Sequence, residues 1–176
     1  MKSGSMLIAM AMLISLLSGT AVAGPQNGFS LNAGLASHSM SPEGYGSYTS
    51  TGLSFGLDYQ FAVADKLSIS PFLMSSAESS SVSGVTAGHG ILGVQLRYWL
   101  DDMFLGGHIG SYSNVRFANG SELDSGAGGG AGLVAGWEKP DGGLYVMGQV
   151  DTASIKYTNT DLKLSGFRLS VGYRWK

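Results

Sequence analysis

Residues 166–175, GFRLSVGYRW, decide how the rest of the chain is read. Taken two at a time, Phe167, Leu169, Val171, Tyr173 and Trp175 are apolar or aromatic, while Gly166, Arg168, Ser170, Gly172 and Arg174 are small or charged. A period of two places alternate side chains on opposite faces of a β-strand. One face of this strand therefore meets apolar surroundings, and the other carries two guanidiniums that need water or polar partners. Either a soluble core or a lipid phase could receive the apolar face, and the remaining sequence must choose.

The same alternation recurs seven times upstream. It predicts strands over residues 28–38, 51–62, 67–77, 90–100, 103–115, 127–138 and 143–157, each with bulky apolar residues on one parity and Gly, Ser, Asn, Gln or single charges on the other. Residues 53–61 give the cleanest case: Leu53, Phe55, Leu57, Tyr59 and Phe61 oppose Ser54, Gly56, Asp58 and Gln60. Pro71 removes one ladder donor, which predicts a bulge or irregular pairing in the third strand. Tight connections are expected at 63–66, at Asp101-Asp102 and at Lys139-Pro140-Asp141-Gly142, where Pro presets φ and Gly accepts a positive one. Long polar connections are expected at 39–50, 78–88 and 116–126, so that long and short alternate along the chain.

Residues 1–23 combine one cation, Lys2, with an apolar run and a closing Ala21-Val22-Ala23. That pattern predicts a secretory signal peptide over 1–23 followed by one domain over 24–176, since the apolar run is too short to span a bilayer. Without the signal, 153 of the 176 residues remain, enough for a single domain with a sizeable interior. Loss of Lys2 leaves nine cations against twelve acids and no basic stripe, which argues against nucleic acid as a partner. The chain has no cysteine, so neither disulfides nor thiolate metal sites contribute. Charged residues make up only 12% of it, about half the share usual in soluble domains.

That shortage of charge settles which face is which. A soluble barrel would turn bulky apolar residues inward and Lys or Glu outward, and this sequence has too few of the latter to cover it. No apolar run after Ala23 is long enough for a spanning helix, and in lipid only a closed sheet otherwise satisfies its own backbone. The pattern therefore predicts an all-β protein, an eight-stranded antiparallel up-and-down transmembrane β-barrel. In this the chain resembles the small eight-stranded outer-membrane barrels of Gram-negative bacteria, of the OmpA membrane-domain and OmpX-like type. The resemblance rests on architecture over the whole segment after the signal, and most specifically on the terminal pattern Phe167, Leu169, Val171, Tyr173, Trp175, here followed by Lys176. It implies an outer-membrane location, lipid and lipopolysaccharide as surroundings, recognition of the last strand by the barrel assembly machinery, a monomer, and a structural or loop-mediated binding role toward an extracellular ligand.

Inward parity collects Asp58, Arg97, Gln149, Asp151, Arg168 and Arg174 into an expected lumen network, with Asp151 near Arg168 across the last hairpin. Paired charges in so narrow a barrel would plug it. The alternative is a narrow pore in which Arg97 and Arg168 select anions. A second alternative is a lipid A-modifying hydrolase, as some relatives of this architecture are. His38, followed by Ser39, His89 and His108 are its only candidate bases, and no His-x-Ser-Asn pattern accompanies them. The reading therefore assigns no catalytic, cofactor-binding or metal-ligating residue. It places His38 and His89 at the polar rim and His108 in the lumen. Asp101-Asp102 and the pair Glu122 and Asp124 lack the ligand count of a Ca²⁺ site. The glycines 128–130 lack the following helix of a phosphate cradle and suit close approach of a neighbouring ring instead. Phe61, Tyr98, Trp137, Tyr173 and Trp175 are expected to form an interfacial aromatic belt.

Overall fold

A computed structural model describes residues 24–44, 46–82, 84–118, 121–140, 143–157 and 160–175, with the backbone alone for 121–123. The expected signal peptide and Lys176 lie outside the described residues, as do Asp141 and Gly142 of the expected turn. Eight strands follow one another: β1 Gly28–Pro42, β2 Tyr48–Ala64, β3 Leu67–Ser80, β4 Val85–Leu100, β5 Met103–Ala118, β6 Ser121–Glu138, β7 Leu144–Lys156 and β8 Asp161–Trp175. Each pairs antiparallel with its neighbours in the chain, and β1 pairs with β8 to close the barrel. The closing register sets Phe29 against Trp175, Leu31 against Tyr173 and Leu35 against Leu169, so the terminal strand seals the sheet. Closure leaves no free edge, which is what lets a sheet sit in lipid.

Side chains alternate as the sequence dictates. Outward-facing Leu53, Phe55, Leu57, Leu92, Ile109, Leu133, Leu169 and Val171 are all exposed, whereas Asp58, Gln95, Arg97, Gln149, Asp151, Arg168 and Arg174 are buried. Pro71 does not shift the register. It pairs with Val94 on the β4 side, while pairing with β2 lapses between Asp58–Phe72 and Phe61–Ile69 and then resumes; the register shift in this hairpin lies at Ala62/Ala64.

The outward face divides into two bands. Toward the end that holds both termini, each strand presents apolar residues, such as Phe29 to Leu35 on β1 and Leu53 to Phe61 on β2. Nine residues of strand cover about 30 Å, or about 23 Å of height at a tilt of about 40°, close to the apolar band of an outer-membrane barrel. Beyond that level the outward residues become polar on strand after strand: Ser37, Thr49, Thr51, Ser75, Ser79, Thr86, Ser113, Thr152, Ser154, Lys156 and Lys163 are exposed there. The barrel therefore continues as sheet past its apolar belt, as a polar collar.

This collar corrects the expected long connections. The connections at the collar end, 43–47, 81–84, 119–120 and 157–160, are two to five residues long, the same range as 65–66, 101–102 and 139–143 at the other end. Much of the Ser and Gly runs read as loops in the sequence instead forms the outer ends of β1 to β6. Inside a polar lumen and outside a membrane, both strand faces can be small and polar, so the composition that marks a loop in a soluble protein here marks paired strand.

Candidate functional site

The lumen concentrates the protein's buried polar chemistry and is organised in tiers along the barrel axis. In the tier nearest the termini, Asp58 of β2 receives Arg97 Nη2 of β4 at 3.1 Å and lies 3.6 Å from Arg174 Nη2 of β8, and Ser30 donates to the same carboxylate. Arg97 also donates to Gln60 at 2.9 Å and to Gln95 at 2.7 Å, and Arg174 Nε lies 3.1 Å from Glu138. Both guanidiniums lie over aromatic rings, Arg97 5.0 Å from the centre of Phe104 and Arg174 5.5 Å from that of Tyr145. Two acids and two guanidiniums thus balance, and glutamine amides, the Gly28 carbonyl and aromatic rings take further donors, while Arg174 Nη2 makes no hydrogen bond. In the cavity bounded by Asp58, Arg97, Phe72, Met74 and Gln149, about 10 Å³ is left for water, roughly one molecule's worth.

In the middle tier, Asp151 of β7 gathers four partners: Arg168, His108 Nε2 at 3.0 Å, Gln149 Nε2 at 2.7 Å and the Tyr112 hydroxyl at 3.4 Å. Arg168 is level with Gln149 in the β7–β8 register and reaches one pair along to Asp151. The His108 ring needs a residue without a side chain opposite it, because a Cβ on Gly132 of β6 would lie 2.4 Å from its Cε1.

The third tier lies inside the collar. His38 of β1, Glu78 of β3 and His89 of β4 are fully inside, contrary to the rim position expected of the two histidines. Both occupy the inward parity of strands that extend beyond the predicted bounds at residues 38 and 90. His38 Nδ1 is 2.6 Å from Glu78 Oε1, His89 Nε2 is 3.5 Å from Glu78 Oε2, and the two imidazole rings are 4.5 Å apart. Ser50 and Ser76 donate to the same carboxylate, Ser76 at 2.6 Å. His38 Nε2 has no hydrogen-bond partner and lies 4.0 Å from Asp151 Oδ2. Gly166 of β8 makes room for the His38 ring, since a Cβ there would come within 2.0 Å of Cδ2.

Above this tier Met40, Ile155, Leu162 and Leu164 fill the lumen, and Tyr157 donates to Asn114, which in turn contacts His89 Nδ1 at 2.9 Å. Arg116 stands 5.1 Å over the Tyr157 ring and 3.2 Å from Asp124. Burial holds the Tyr157 phenol above the ordinary tyrosine value, despite the opposing Arg116 charge.

All six expected network residues thus face the lumen, but in two separate tiers rather than one. Asp58, Arg97 and Arg174 meet in the first, and Gln149, Asp151 and Arg168 in the second. Glu138 and Glu78 are absent from the expected network, and His38 and His89, expected at the rim, belong to it. Parity would have found Glu78, because it continues the inward series Phe72, Met74, Ser76 beyond the residue at which the third strand was ended. Of the expected aromatic belt, Phe61, Tyr98, Tyr173 and Trp175 are exposed on the outer wall near the terminal end, and Tyr173 packs edge-on to Trp175 at 5.0 Å. Trp137 shares that face but is half-buried.

No protein-family model matches the chain, and neither does any curated protein. Among solved structures it is similar to Ail, the attachment invasion locus protein of Yersinia pestis, with a TM-score of 0.58 and 15% identity over 85% of this chain and 99% of that one. It is also similar to neisserial surface protein A, with a TM-score of 0.61 and 14% identity over 84% and 97% of the two chains. A second structure of Ail, at a TM-score of 0.55 and 15% identity over 85% of this chain and 99% of that one, is a complex with the heparin analogue sucrose octasulfate. The shared feature is the fold, that of the small outer-membrane barrels, and the apolar belt described above is the surface that such a barrel turns to lipid.

Proposed function

We propose that the protein is a closed outer-membrane scaffold that carries a polar collar above the bilayer for contact with an extracellular partner. The observation that carries this reading is the filled lumen: buried ion pairs in the first two tiers and apolar side chains at the top occupy the space that a pore would need. On this reading residues 1–23 direct export, both termini face the periplasm, the assembly machinery recognises β8, and a single barrel sits among lipid and lipopolysaccharide. Contact is made by strand ends and short turns rather than by long loops. The collar mixes Lys156 and Lys163 with Asp161, so its charge favours no single class of ligand, and the sulfated ligand of Ail is not carried over.

Catalysis has no part in this reading. His38 points into the lumen and Ser39 away from it, on opposite faces of β1, so that pair cannot act together on a lipid at the outer wall. Planar-bilayer recordings test the plug. The wild-type barrel is expected to give no resolved conductance steps. Regular steps that disappear in Arg168→Ala would replace the plug with an anion-selective pore.

A further inference from the structure

We infer that His38, Glu78 and His89 form a binding site for one divalent metal ion of the zinc type, inside the collar. Their ligand atoms all lie within 4.8 Å of one another and come from three strands, so the barrel itself fixes their spacing. Two imidazoles and one carboxylate are a donor set for zinc and its transition-metal neighbours, and a poor one for Ca²⁺ or Mg²⁺, which take oxygen ligands. Three protein ligands leave one position open, as in many zinc sites.

Two further observations point to a cation. Among the described residues the interior holds four buried carboxylates, Asp58, Glu78, Glu138 and Asp151, against three buried guanidiniums, Arg97, Arg168 and Arg174. The first tier balances and Arg168 answers Asp151, so Glu78 has no guanidinium and faces only the two histidines. A buried carboxylate without a matching cation is costly, and a bound metal removes that cost.

The second observation is the set of outer partners. A metal-bound imidazole directs its other ring nitrogen at a hydrogen-bond acceptor, often a carboxylate. With metal on His38 Nδ1, the otherwise unpartnered Nε2–H faces Asp151 Oδ2, 4.0 Å away. With metal on His89 Nε2, Nδ1–H meets the Asn114 amide, whose oxygen accepts from it once the amide turns over. Ser50 and Ser76 already donate to the Glu78 carboxylate and hold its orientation.

The test folds the full chain in detergent micelles with Zn²⁺, removes free metal by desalting, and counts zinc by elemental mass spectrometry. About one zinc per chain is expected in the wild type and in Asp124→Asn, and at least tenfold less in His89→Gln and Glu78→Gln. A wild-type barrel that retains no zinc, or zinc retained equally by all four proteins, overturns the site. Proton NMR of the wild-type barrel loaded with Co²⁺ needs no variant to fold. Paramagnetically shifted N–H signals from two histidines are expected, and one or none overturns the assignment.

Discussion

The lumen is held in two different ways at its two ends. Within the apolar belt, permanently charged guanidiniums face carboxylates one for one, with aromatic rings and glutamine amides as further partners. Inside the collar the cations are replaced by two histidines around a single carboxylate, which can exchange a proton or a metal ion with their surroundings. The level at which the chemistry changes is also the level at which the outer wall turns from Leu and Phe to Ser and Thr. His108 of the middle tier shares Asp151 with Arg168, whereas the collar histidines share Glu78 with no guanidinium.

Breaking the belt tier should therefore cost most. Asp58→Ala leaves Arg97 and Arg174 buried beside a single remaining acid, Glu138, and is expected to lower unfolding stability in detergent by about 3–5 kcal/mol. Urea unfolding followed by tryptophan fluorescence measures it. A loss below about 1 kcal/mol would mean that wall pairing and not lumen charge holds the embedded half.

Steric pressure on the collar tier ranks next. In Gly166→Ala the new methyl would sit 2.0 Å from His38 Cδ2, and the ring cannot retreat without leaving Glu78. About 1–3 kcal/mol of destabilisation is expected. Gly148→Ala provides the contrast, because its Cβ would have no neighbour nearer than 3.9 Å and would face lipid. Equal effects of the two substitutions would show that the His38 position is not constrained.

Glu78→Gln keeps the shape of the collar carboxylate but removes its charge. Metal-free protein should lose no more than about 1.5 kcal/mol, because the weakened contacts to Ser50, Ser76 and His38 are offset by removal of a buried charge that no guanidinium matches. A cost as large as that of Asp58→Ala would place the two tiers on the same footing and remove the distinction between them.

What the sequence made legible divides along the same boundary. Over residues 53–61 and 166–175 one parity is entirely bulky and the other entirely small or polar, so strand, facing and membrane contact follow from period alone. The first two tiers were legible for that reason, since Asp58, Arg97, Asp151, Arg168 and Arg174 interrupt runs of Leu, Val and Tyr. In the collar, Ser37 and Ser39 flank His38, and Ser76 precedes Glu78. With both faces polar the alternation loses its contrast, and the chain reads as loop from Ser39 and again from Glu78. Their pairing is fixed by strand register carried up from the belt, a tertiary constraint with no local signature. Glu138 escaped because it ends β6 beside a turn, where an acid is ordinarily solvated.

Tyr157, at the top of the collar, tests the smallest expected difference. Its hydroxyl donates to Asn114, which contacts His89, so Tyr157→Phe removes one buried hydrogen bond and loosens the collar tier by about 1 kcal/mol at neutral pH while leaving the belt tier intact. The sign of its pH dependence is fixed by burial. Because the folded phenol ionises above the ordinary tyrosine value near 10, the stabilisation it gives is complete below about pH 10 and is lost as pH climbs toward the folded value. The gap between wild type and Tyr157→Phe should therefore narrow as unfolding is measured at pH 8, 10 and then 11. A gap that stays constant would mean that the Tyr157 hydroxyl is solvated and that the collar is open to water at its top.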